Sequence, residues 1–494
     1  MSPLPPSLEV FVALERHALQ RPDSPAVGEG DVRLCFAQLA ARVAGLAEEL
    51  AALPEVIGVL APNSVDAFVA DLALAYAGKT FVPLPYFFSP QQLGHIVADS
   101  GLRHILTVAQ WADKAARFGL PVSLIGESEA NFSAARQKPG QRIIYTSGTT
   151  GQPKGVRLGA AQINASTVGL AQAVKADPKD VYLSILPFPL LLEQVCGIHA
   201  PVLAGASVIL ATDAAAGCAE GNPELLIRAA ERAQPTISVL VPELLRAWVA
   251  GLSLSGRKAP SSLRFLAVGG APVSPTLAEA GWALGLPVHE GYGLSECCSV
   301  VALNRPGDRT PGTVGKPLSG LTVTIESGEI VVEGATVMDG YLGRDASAGR
   351  WATGDLGDID ATGNLIIHGR KDNILVLATG RNVSPEWVEG LLTADPRLGR
   401  AIVLGHGEPT LTAVVTPSPL GVEWFAKALP EDVGGLIAAL CADAPVYARP
   451  GKWVVAQEKD LAEKGLLTAN GRPRRPALAQ HFLGSAGSNK GEHP

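Results

Sequence analysis

Cysteine is scarce in this chain, with six among 494 residues. No two cysteines form a CxxC pair, and no set of four Cys and His with the spacing of a zinc site is recognised. Neither a zinc site nor a disulfide framework is therefore predicted, and a reducing, cytoplasmic environment fits this pattern. The cysteines are Cys35, Cys196, Cys218, Cys297, Cys298 and Cys441.

An excess of basic charge is also missing. Lys and Arg number 40 against 47 Asp and Glu, a net charge of −7, so nucleic acid is not a predicted partner.

Long apolar runs are absent as well. Residues 1–20 lack a basic leader followed by an unbroken apolar segment, and no run of about 18 apolar residues occurs. The sequence predicts no transmembrane segment.

Short apolar runs alternate with segments of helical spacing over the first two thirds of the chain. Apolar residues make up 47% of the sequence, which suffices for a large buried core. The alternation predicts an α/β fold with largely parallel sheets. Predicted strands lie at 56–60, 81–84, 104–107, 143–145, 208–211, 237–241 and 265–268, and predicted helices at 65–77 and 223–233.

The pattern changes near residue 321, where LTVTIESGEIVVEG alternates with period two around Ser327-Gly328. This predicts a β-hairpin in a β-rich part at about 300–369. We expect an N-terminal domain over 1–371, a compact C-terminal domain over 372–484, and a disordered tail at 485–494.

The strongest chemical signal is RIIYTSGTTGQPKG, residues 142–155. An apolar strand leads into a loop of glycines and hydroxyl residues that ends in Lys154, a composition typical of a nucleotide phosphate loop. It is not a Walker A loop, because Pro153 precedes the lysine and no Ser or Thr follows it. Glycines alone would equally fit an ordinary turn.

The string YTSGTTGQPKG resembles the signature loop of the adenylate-forming enzymes, a family that includes acyl- and aryl-CoA synthetases, peptide-synthetase adenylation domains and firefly luciferase. Further motifs of that family recur in order: GYGLSE at 291–296, WATGD at 351–355 and GRKD at 369–372, with AGKTFVPL at 77–84 and GGAP at 269–272 upstream. The resemblance spans residues 36 to 475. It implies a large N-terminal domain of stacked α/β sheets plus a β-rich subdomain, followed by a small mobile α+β C-terminal domain.

Residue chemistry suits the roles that the resemblance implies. Tyr292 offers a flat face for adenine. The ionised carboxylate of Glu296 carries lone pairs and no proton, as a ligand of Mg²⁺ must. Asp355 can accept hydrogen bonds from both ribose hydroxyls, and Arg370 can reach ribose or phosphate. Each of these residues also has an ordinary interpretation when it is considered alone. Glu296 fits a surface carboxylate, Asp355 fits a turn-forming residue and Arg370 fits a solvated linker charge.

The resemblance implies Lys154, Glu296 and Arg472 as catalytic residues, with Thr149 and Glu296 as metal ligands and Asp372 as the hinge. The implied nucleotide-binding residues are Thr146, Ser147, Gly148, Thr149, Thr150, Gly151, Gly270, Ala271, Gly291, Tyr292, Gly293, Ser295, Asp355 and Arg370.

Two departures from the family pattern stand out. LGAAQ at 158–162 replaces the usual Thr-His pair, and Arg472 stands where the adenylation lysine is expected. Arginine keeps the positive charge but is not interchangeable with lysine. Lys464 is the alternative candidate for that role, and Arg474 and Arg475 are expected to be solvated charges.

The implied activity is that of an acid–thiol ligase, an AMP-forming acyl-CoA synthetase most like medium- and long-chain fatty acyl-CoA synthetases. ATP, Mg²⁺ and CoA as co-substrate are the implied cofactors. Residues 182–197, YLSILPFPLLLEQVCG, are expected to line the acyl pocket, although they equally fit a core helix. No acidic residue for pairing with an amino acid's ammonium is recognised there, so a hydrophobic carboxylic acid is the predicted substrate. Transfer to an acyl carrier protein, and a degenerate protein that binds nucleotide without efficient turnover, are the alternatives.

Overall fold

The structure is a computed structural model that describes residues 8–146, 153–468 and 471–484. The helices are α1 (Glu9–Gln20), α2 (Phe36–Leu50), α3 (Val65–Tyr76), α4 (Pro90–Asp99), α5 (Ala112–Ala116), α6 (Ala160–Val174), α7 (Leu191–Glu193), α8 (Ala200–Ala204), α9 (Ala214–Ala219), α10 (Glu224–Ala233), α11 (Pro242–Ser255), α12 (Pro275–Ala283), α13 (Pro385–Leu392), α14 (Val422–Lys427), α15 (Pro430–Leu440), α16 (Glu458–Glu463) and α17 (Arg475–Phe482). The strands are β1 (Pro25–Glu29), β2 (Val32–Cys35), β3 (Val56–Leu60), β4 (Thr80–Pro83), β5 (His104–Thr107), β6 (Val122–Leu124), β7 (Gln141–Thr146), β8 (Lys154–Gly159), β9 (Val181–Ser184), β10 (Ser207–Leu210), β11 (Ile237–Leu240), β12 (Phe265–Val268), β13 (Val288–Leu294), β14 (Ser299–Leu303), β15 (Lys316–Pro317), β16 (Leu321–Glu326), β17 (Glu329–Gly334), β18 (Gly340–Tyr341), β19 (Arg350–Ile359), β20 (Leu365–Arg370), β21 (Leu375–Val376), β22 (Asn382–Val383), β23 (Leu398–Leu404), β24 (Leu411–Pro417) and β25 (Pro450–Val455).

Two large sheets form the N-terminal part. One has the strand order β15-β14-β13-β12-β11-β9-β10-β1-β2 and the other the order β18-β8-β7-β4-β3-β5-β6. Their central strands are parallel, as in β3 with β4 and β11 with β12, and antiparallel strands lie at the edges. One continuous apolar core joins both sheets to their helices, with Phe36, Phe68 and Trp248 fully buried. The predicted α/β class is confirmed.

A smaller antiparallel sheet, in the order β16-β17-β19-β20, follows the nine-stranded sheet. Its first two strands form the predicted hairpin, in which Glu326 pairs with Glu329. Ser327 and Gly328 both have positive φ, 51° and 82°, as a two-residue hairpin turn of this twist requires.

The C-terminal part is built on a three-stranded sheet, β23-β24-β25, in which β24 and β25 are parallel. Helices α13 and α15 cover it and share a separate apolar core that contains Val388, Val415 and Ile437. This part contacts the larger one where Arg246 of α11 donates to the Thr393 carbonyl, 2.9 Å away. The α+β organisation expected for the smaller region is therefore present.

A buried ionic cluster fixes β7, the strand that leads to the phosphate-loop segment. Arg142 on this strand donates to both oxygens of Asp71 at 2.5 and 2.7 Å and to Gln194 at 2.6 Å. His199 contacts Asp71 as well, at 2.8 Å. Burial would raise the pKa of Asp71, but the Arg142 charge and the His199 contact outweigh it and lower that pKa. The cluster holds β7 against a π-helical turn, Gln194–His199, which overlaps the end of the predicted acyl segment.

Candidate nucleotide-binding site

The phosphate-loop segment is bracketed by β7 and β8, which pair antiparallel with Thr146 opposite Lys154. Both of these residues are described. The predicted residues Ser147, Gly148, Thr149, Thr150 and Gly151 lie outside the described part of the chain. Their assigned roles therefore stay predictions.

Glu296, Tyr341 and Lys154 come together beside this hairpin. The Tyr341 hydroxyl donates to Oε1 of Glu296 at 2.7 Å, and the Lys154 Nζ lies 5.7 Å from the centre of the Tyr341 ring. Burial and the Glu296 charge raise the pKa of Tyr341, so its hydroxyl stays protonated and donates. Gly340 and Tyr341 pair with Arg157 and Val156 across β18 and β8, which explains how residues so distant in sequence meet.

A second group joins Tyr292, Asp355 and Arg370. The Tyr292 hydroxyl donates to Oδ2 of Asp355 at 2.5 Å, and Arg370 lies 3.1 Å from Oδ1. Burial raises the pKa of Asp355, while the Tyr292 hydrogen bond and the Arg370 charge oppose that shift. Asp355 and Arg370 are direct partners in the pairing of β19 with β20, so the predicted residues from two motifs meet in one place.

Small residues lie at or near the carboxyl ends of β12 and β13, the strand that contains Tyr292. Gly270 and Ala271 follow β12 and are exposed, while Gly291 and Gly293 lie in β13, the parallel neighbour. A Cβ added at Gly269 would lie 3.0 Å from the Gly291 carbonyl oxygen, so the backbones approach closely here. Ser295 opens the short turn that carries Glu296. In α/β sheets, ligands bind at the carboxyl ends of the strands, where these residues lie.

The donor set fits a magnesium nucleotide. The Lys154 ammonium and the Arg370 guanidinium can pair with phosphate oxygens, and the Asp355 carboxylate can accept hydrogen bonds from hydroxyls. In the described part of the chain, Oε2 of half-buried Glu296 has no hydrogen-bond partner, which leaves it available to a cation. No group of three or more His, Cys, Asp or Glu side chains suited to a metal occurs among the described residues. Mg²⁺ commonly binds through one or two carboxylates together with substrate phosphates and water, which this set allows.

Arg472 lies apart from these groups. It is exposed, and its backbone exchanges hydrogen bonds with Thr468, while Arg400 donates to the Gly471 carbonyl at 2.9 Å. No hydrogen bond or ion pair within residues 8–146, 153–468 and 471–484 joins the Arg472 guanidinium to another side chain. Lys464 is exposed at the end of α16, and the predicted hinge Asp372 is exposed in a short turn.

The expectation that Arg475 is a solvated charge was wrong. Arg475 donates to Glu389 at 2.9 and 3.0 Å and lies 3.3 Å from Glu386, and all three side chains are largely buried. Both partners lie on α13, more than 80 residues away, so no local pattern reveals the pairing. Arg474 is exposed, as predicted.

The comparison with known sequences decides the family. Residues 14–342 match the family described as AMP-binding enzyme, and residues 372–484 match the AMP-binding enzyme C-terminal domain. The chain belongs to the AMP-binding enzymes. The resemblance found in the motifs is therefore confirmed.

Individual relatives of this AMP-binding enzyme are moderately similar. A long-chain-fatty-acid–CoA ligase of Mycobacterium bovis is 27% identical over 468 residues, covering 77% of this chain and 76% of the relative. A 2-succinylbenzoate–CoA ligase of Bacillus licheniformis is 29% identical, covering 84% and 91%. The structure of o-succinylbenzoate CoA synthetase from Bacillus subtilis with its acyl-adenylate intermediate superposes with a TM-score of 0.78 at 23% identity, covering 97% and 99%. That structural likeness shows a shared fold.

The predicted acyl segment of this AMP-binding enzyme begins in β9 and is largely buried. It contributes Leu183, Phe188 and Val195 to the main apolar core. It also buries a carboxyl group that the sequence interpretation did not assign: Glu193 accepts from Ser184 at 2.6 Å and from Tyr182 at 3.1 Å. Burial raises the pKa of Glu193 to about 8, although both hydrogen bonds oppose the shift. The carboxyl group is therefore protonated at neutral pH.

This buried carboxyl group predicts a pH dependence of stability. The folded state retains the Glu193 proton between the ordinary value of 4.5 and about 8, whereas the unfolded state releases it. The stabilisation is thus complete below about 4.5 and is lost as the pH rises through about 8, by up to about 1.4 kcal/mol per pH unit. Glu193→Gln, which carries no titratable proton, should flatten this slope in urea unfolding followed from pH 5 to 9.

Exposed Glu333 provides the matched control for this measurement. Glu333→Gln should leave the slope of the parent protein unchanged. Parallel stability profiles for Glu193→Gln and the parent protein would contradict the assigned protonation.

No helix within the described ranges is long and apolar enough to cross a bilayer.

Proposed function

We propose that this AMP-binding enzyme activates a hydrophobic carboxylic acid, with a fatty acid as the first candidate, to an acyl-adenylate and then transfers the acyl group to CoA. The observation that carries the proposal is the assembly of two carboxylates, two phenols and two cations beside the β7–β8 hairpin and the β12–β13 edge. The sequence brings these residues from five separate segments, and their combined chemistry suits a nucleotide.

In the first step, a carboxylate oxygen of the acid attacks the α-phosphorus of ATP, and the bond to pyrophosphate breaks. Lys154 neutralises charge on the phosphate oxygens, and Asp355 accepts from the ribose hydroxyls while Arg370 remains beside it. Bound Mg²⁺ would supply further charge neutralisation, held at Oε2 of Glu296. Tyr341 keeps the Glu296 carboxylate oriented through Oε1.

In the second step, the sulfur of the CoA thiol attacks the acyl carbon, AMP leaves with the electron pair of the broken bond, and the thiol proton passes to solvent. No protein nucleophile is required in either step. The C-terminal part carries Arg472 in the first step and is expected to present another surface in the second, with Asp372 as the hinge.

The environment of Glu193 supports a substrate without an ammonium group. A protonated carboxyl that already accepts from Ser184 and Tyr182 offers no counter-ion to a buried cation. The same segment contributes Leu183, Phe188 and Val195 to the main apolar core. Of the two relatives named above, one acts on long-chain fatty acids and the other on succinylbenzoate, so both aliphatic and aromatic acids belong in the test.

The test is thioester formation with ATP, Mg²⁺, free CoA and a panel of octanoate, palmitate, 2-succinylbenzoate and phenylalanine. We expect acyl-CoA and equimolar AMP with an aliphatic acid and none with phenylalanine. Turnover of phenylalanine alone would contradict the hydrophobic-acid proposal. Acid-dependent pyrophosphate release without acyl-CoA would contradict CoA as the acceptor and favour a carrier protein.

A further inference from the structure

Helix α4 is anchored firmly beside the β7–β8 hairpin. Ser89 caps its first turn, accepting from Gln92 N at 3.2 Å, while the Gln92 side chain accepts from the Ser89 backbone at 3.0 Å. Leu93 and Ile96 are buried in an apolar cluster that also contains Ile143 of β7. The helix therefore has a fixed position relative to the strand that leads to the phosphate-loop segment.

One face of α4 contacts β7 and Pro153, the residue before β8. His95 Nε2 lies 3.0 Å from the Pro153 carbonyl oxygen, and Asp99 accepts from the Tyr145 hydroxyl at 2.6 Å. Residues four apart lie on the same face of a helix, which explains why both contacts point the same way. Because a carbonyl oxygen only accepts, the His95 ring must carry its proton on Nε2 in this contact.

These two contacts with α4 hold the chain on either side of Lys154. Pro153, immediately before it, is held by His95. Gly155, immediately after it, faces the Tyr145 ring, where an added Cβ would lie 3.1 Å from Cζ. Burial and the Asp99 contact raise the pKa of Tyr145, so its hydroxyl remains a donor. Both backbone neighbours of the predicted phosphate cation are thus fixed from α4.

We infer that His95 is a positioning residue for Lys154: its hydrogen bond to the Pro153 carbonyl sets where the lysine ammonium meets the phosphates. The inference rests on the proposed function, because it needs a nucleotide at Lys154. His95 itself is not placed among the groups that touch the substrate.

The experiment compares His95→Ala, His95→Gln and Gly94→Ala in acid-dependent ATP–pyrophosphate exchange. Loss of one neutral hydrogen bond should lower kcat/KM for ATP by about 3- to 10-fold in His95→Ala and leave the KM for the acid unchanged. Glutamine retains an N–H donor near the position of Nε2, so His95→Gln should recover most of the loss. Gly94→Ala is the matched control, since a Cβ there meets no atom within 4 Å and the residue is exposed on the same helix.

Equal kcat/KM for His95→Ala and Gly94→Ala would overturn the inference, as would an equal loss in His95→Gln and His95→Ala. Calorimetric titration of each protein with Mg·ATP separates this result from failure of the proposed function. If the parent protein binds no Mg·ATP, the proposed function itself is wrong and the inference fails with it. If it binds and exchanges but the variants match the control, only the positioning role is wrong.

Discussion

Glu296→Gln is expected to slow acid-dependent ATP–pyrophosphate exchange by about 10²-fold or more, the scale of losing one positioned electrostatic contact in a transition state. Glutamine keeps the size of the side chain and an oxygen that can accept from Tyr341. It removes the negative charge, and with it the carboxylate oxygen that has no partner among the described residues. The loss should become smaller as Mg²⁺ is raised, which is measured by exchange rates over a magnesium titration.

The control for this variant is Glu333→Gln, which changes an exposed carboxylate that pairs with Arg350 at 3.0 Å. It should exchange at the parent rate. Tyr341→Phe removes only the hydroxyl that orients Glu296 and keeps the ring beside Lys154, so its loss should be about 3- to 10-fold. A Glu296→Gln protein with parental exchange at every magnesium concentration would contradict the metal-binding role.

Arg472→Ala is expected to depress pyrophosphate exchange by roughly 10²-fold or more while leaving the reaction of pre-formed acyl-AMP with CoA nearly unchanged. The structure leaves the Arg472 guanidinium exposed, on a loop held by Thr468 and Arg400. A side chain without a competing carboxylate partner in the described ranges is available to a phosphate. Arg472→Lys, which restores the residue of the family pattern, should keep or raise the exchange rate.

Arg474→Ala is the matched control, because this neighbouring arginine is also exposed. It should behave like the parent protein in both half-reactions. Lys464→Ala tests the competing assignment. If Lys464→Ala abolishes exchange and Arg472→Ala matches Arg474→Ala, the adenylation role belongs to the lysine.

Much of the fold follows from local patterns. The strands predicted at 56–60, 104–107 and 265–268 match β3, β5 and β12, because a fully buried parallel strand reads as one apolar run between polar turns. The hairpin at Ser327-Gly328 also follows from its sequence, since few residues accept the backbone conformation of both turn positions. The order of strands in the two large sheets depends on contacts between distant segments, which these patterns do not contain.

The candidate site also depends on contacts between residues that are distant in sequence, which local patterns do not contain. Tyr292, Asp355 and Arg370 were predicted from motifs, and the structure joins them at 2.5 and 3.1 Å. Tyr341 was missed, although an aromatic residue next to Gly340 in MDGYLG was a signal that could have drawn attention to it. Its partner Glu296 lies 45 residues away.

Burial limits sequence interpretation in another way. Glu193 and Arg475 are charged residue types, and a charged residue in a sequence is usually solvated. Only the folded chain shows that Glu193 lies under Tyr182 and Ser184, or that Arg475 lies between two glutamates of α13.

The central claim is that this chain forms an acyl-adenylate, and acid-dependent exchange of labelled pyrophosphate into ATP, measured without CoA, tests it most directly. We predict Mg²⁺-dependent exchange with at least one hydrophobic acid of the panel, and loss of that exchange in Lys154→Ala. Absence of exchange with every acid, in a preparation that binds Mg·ATP, would contradict adenylate formation and leave a nucleotide-binding protein without this activity.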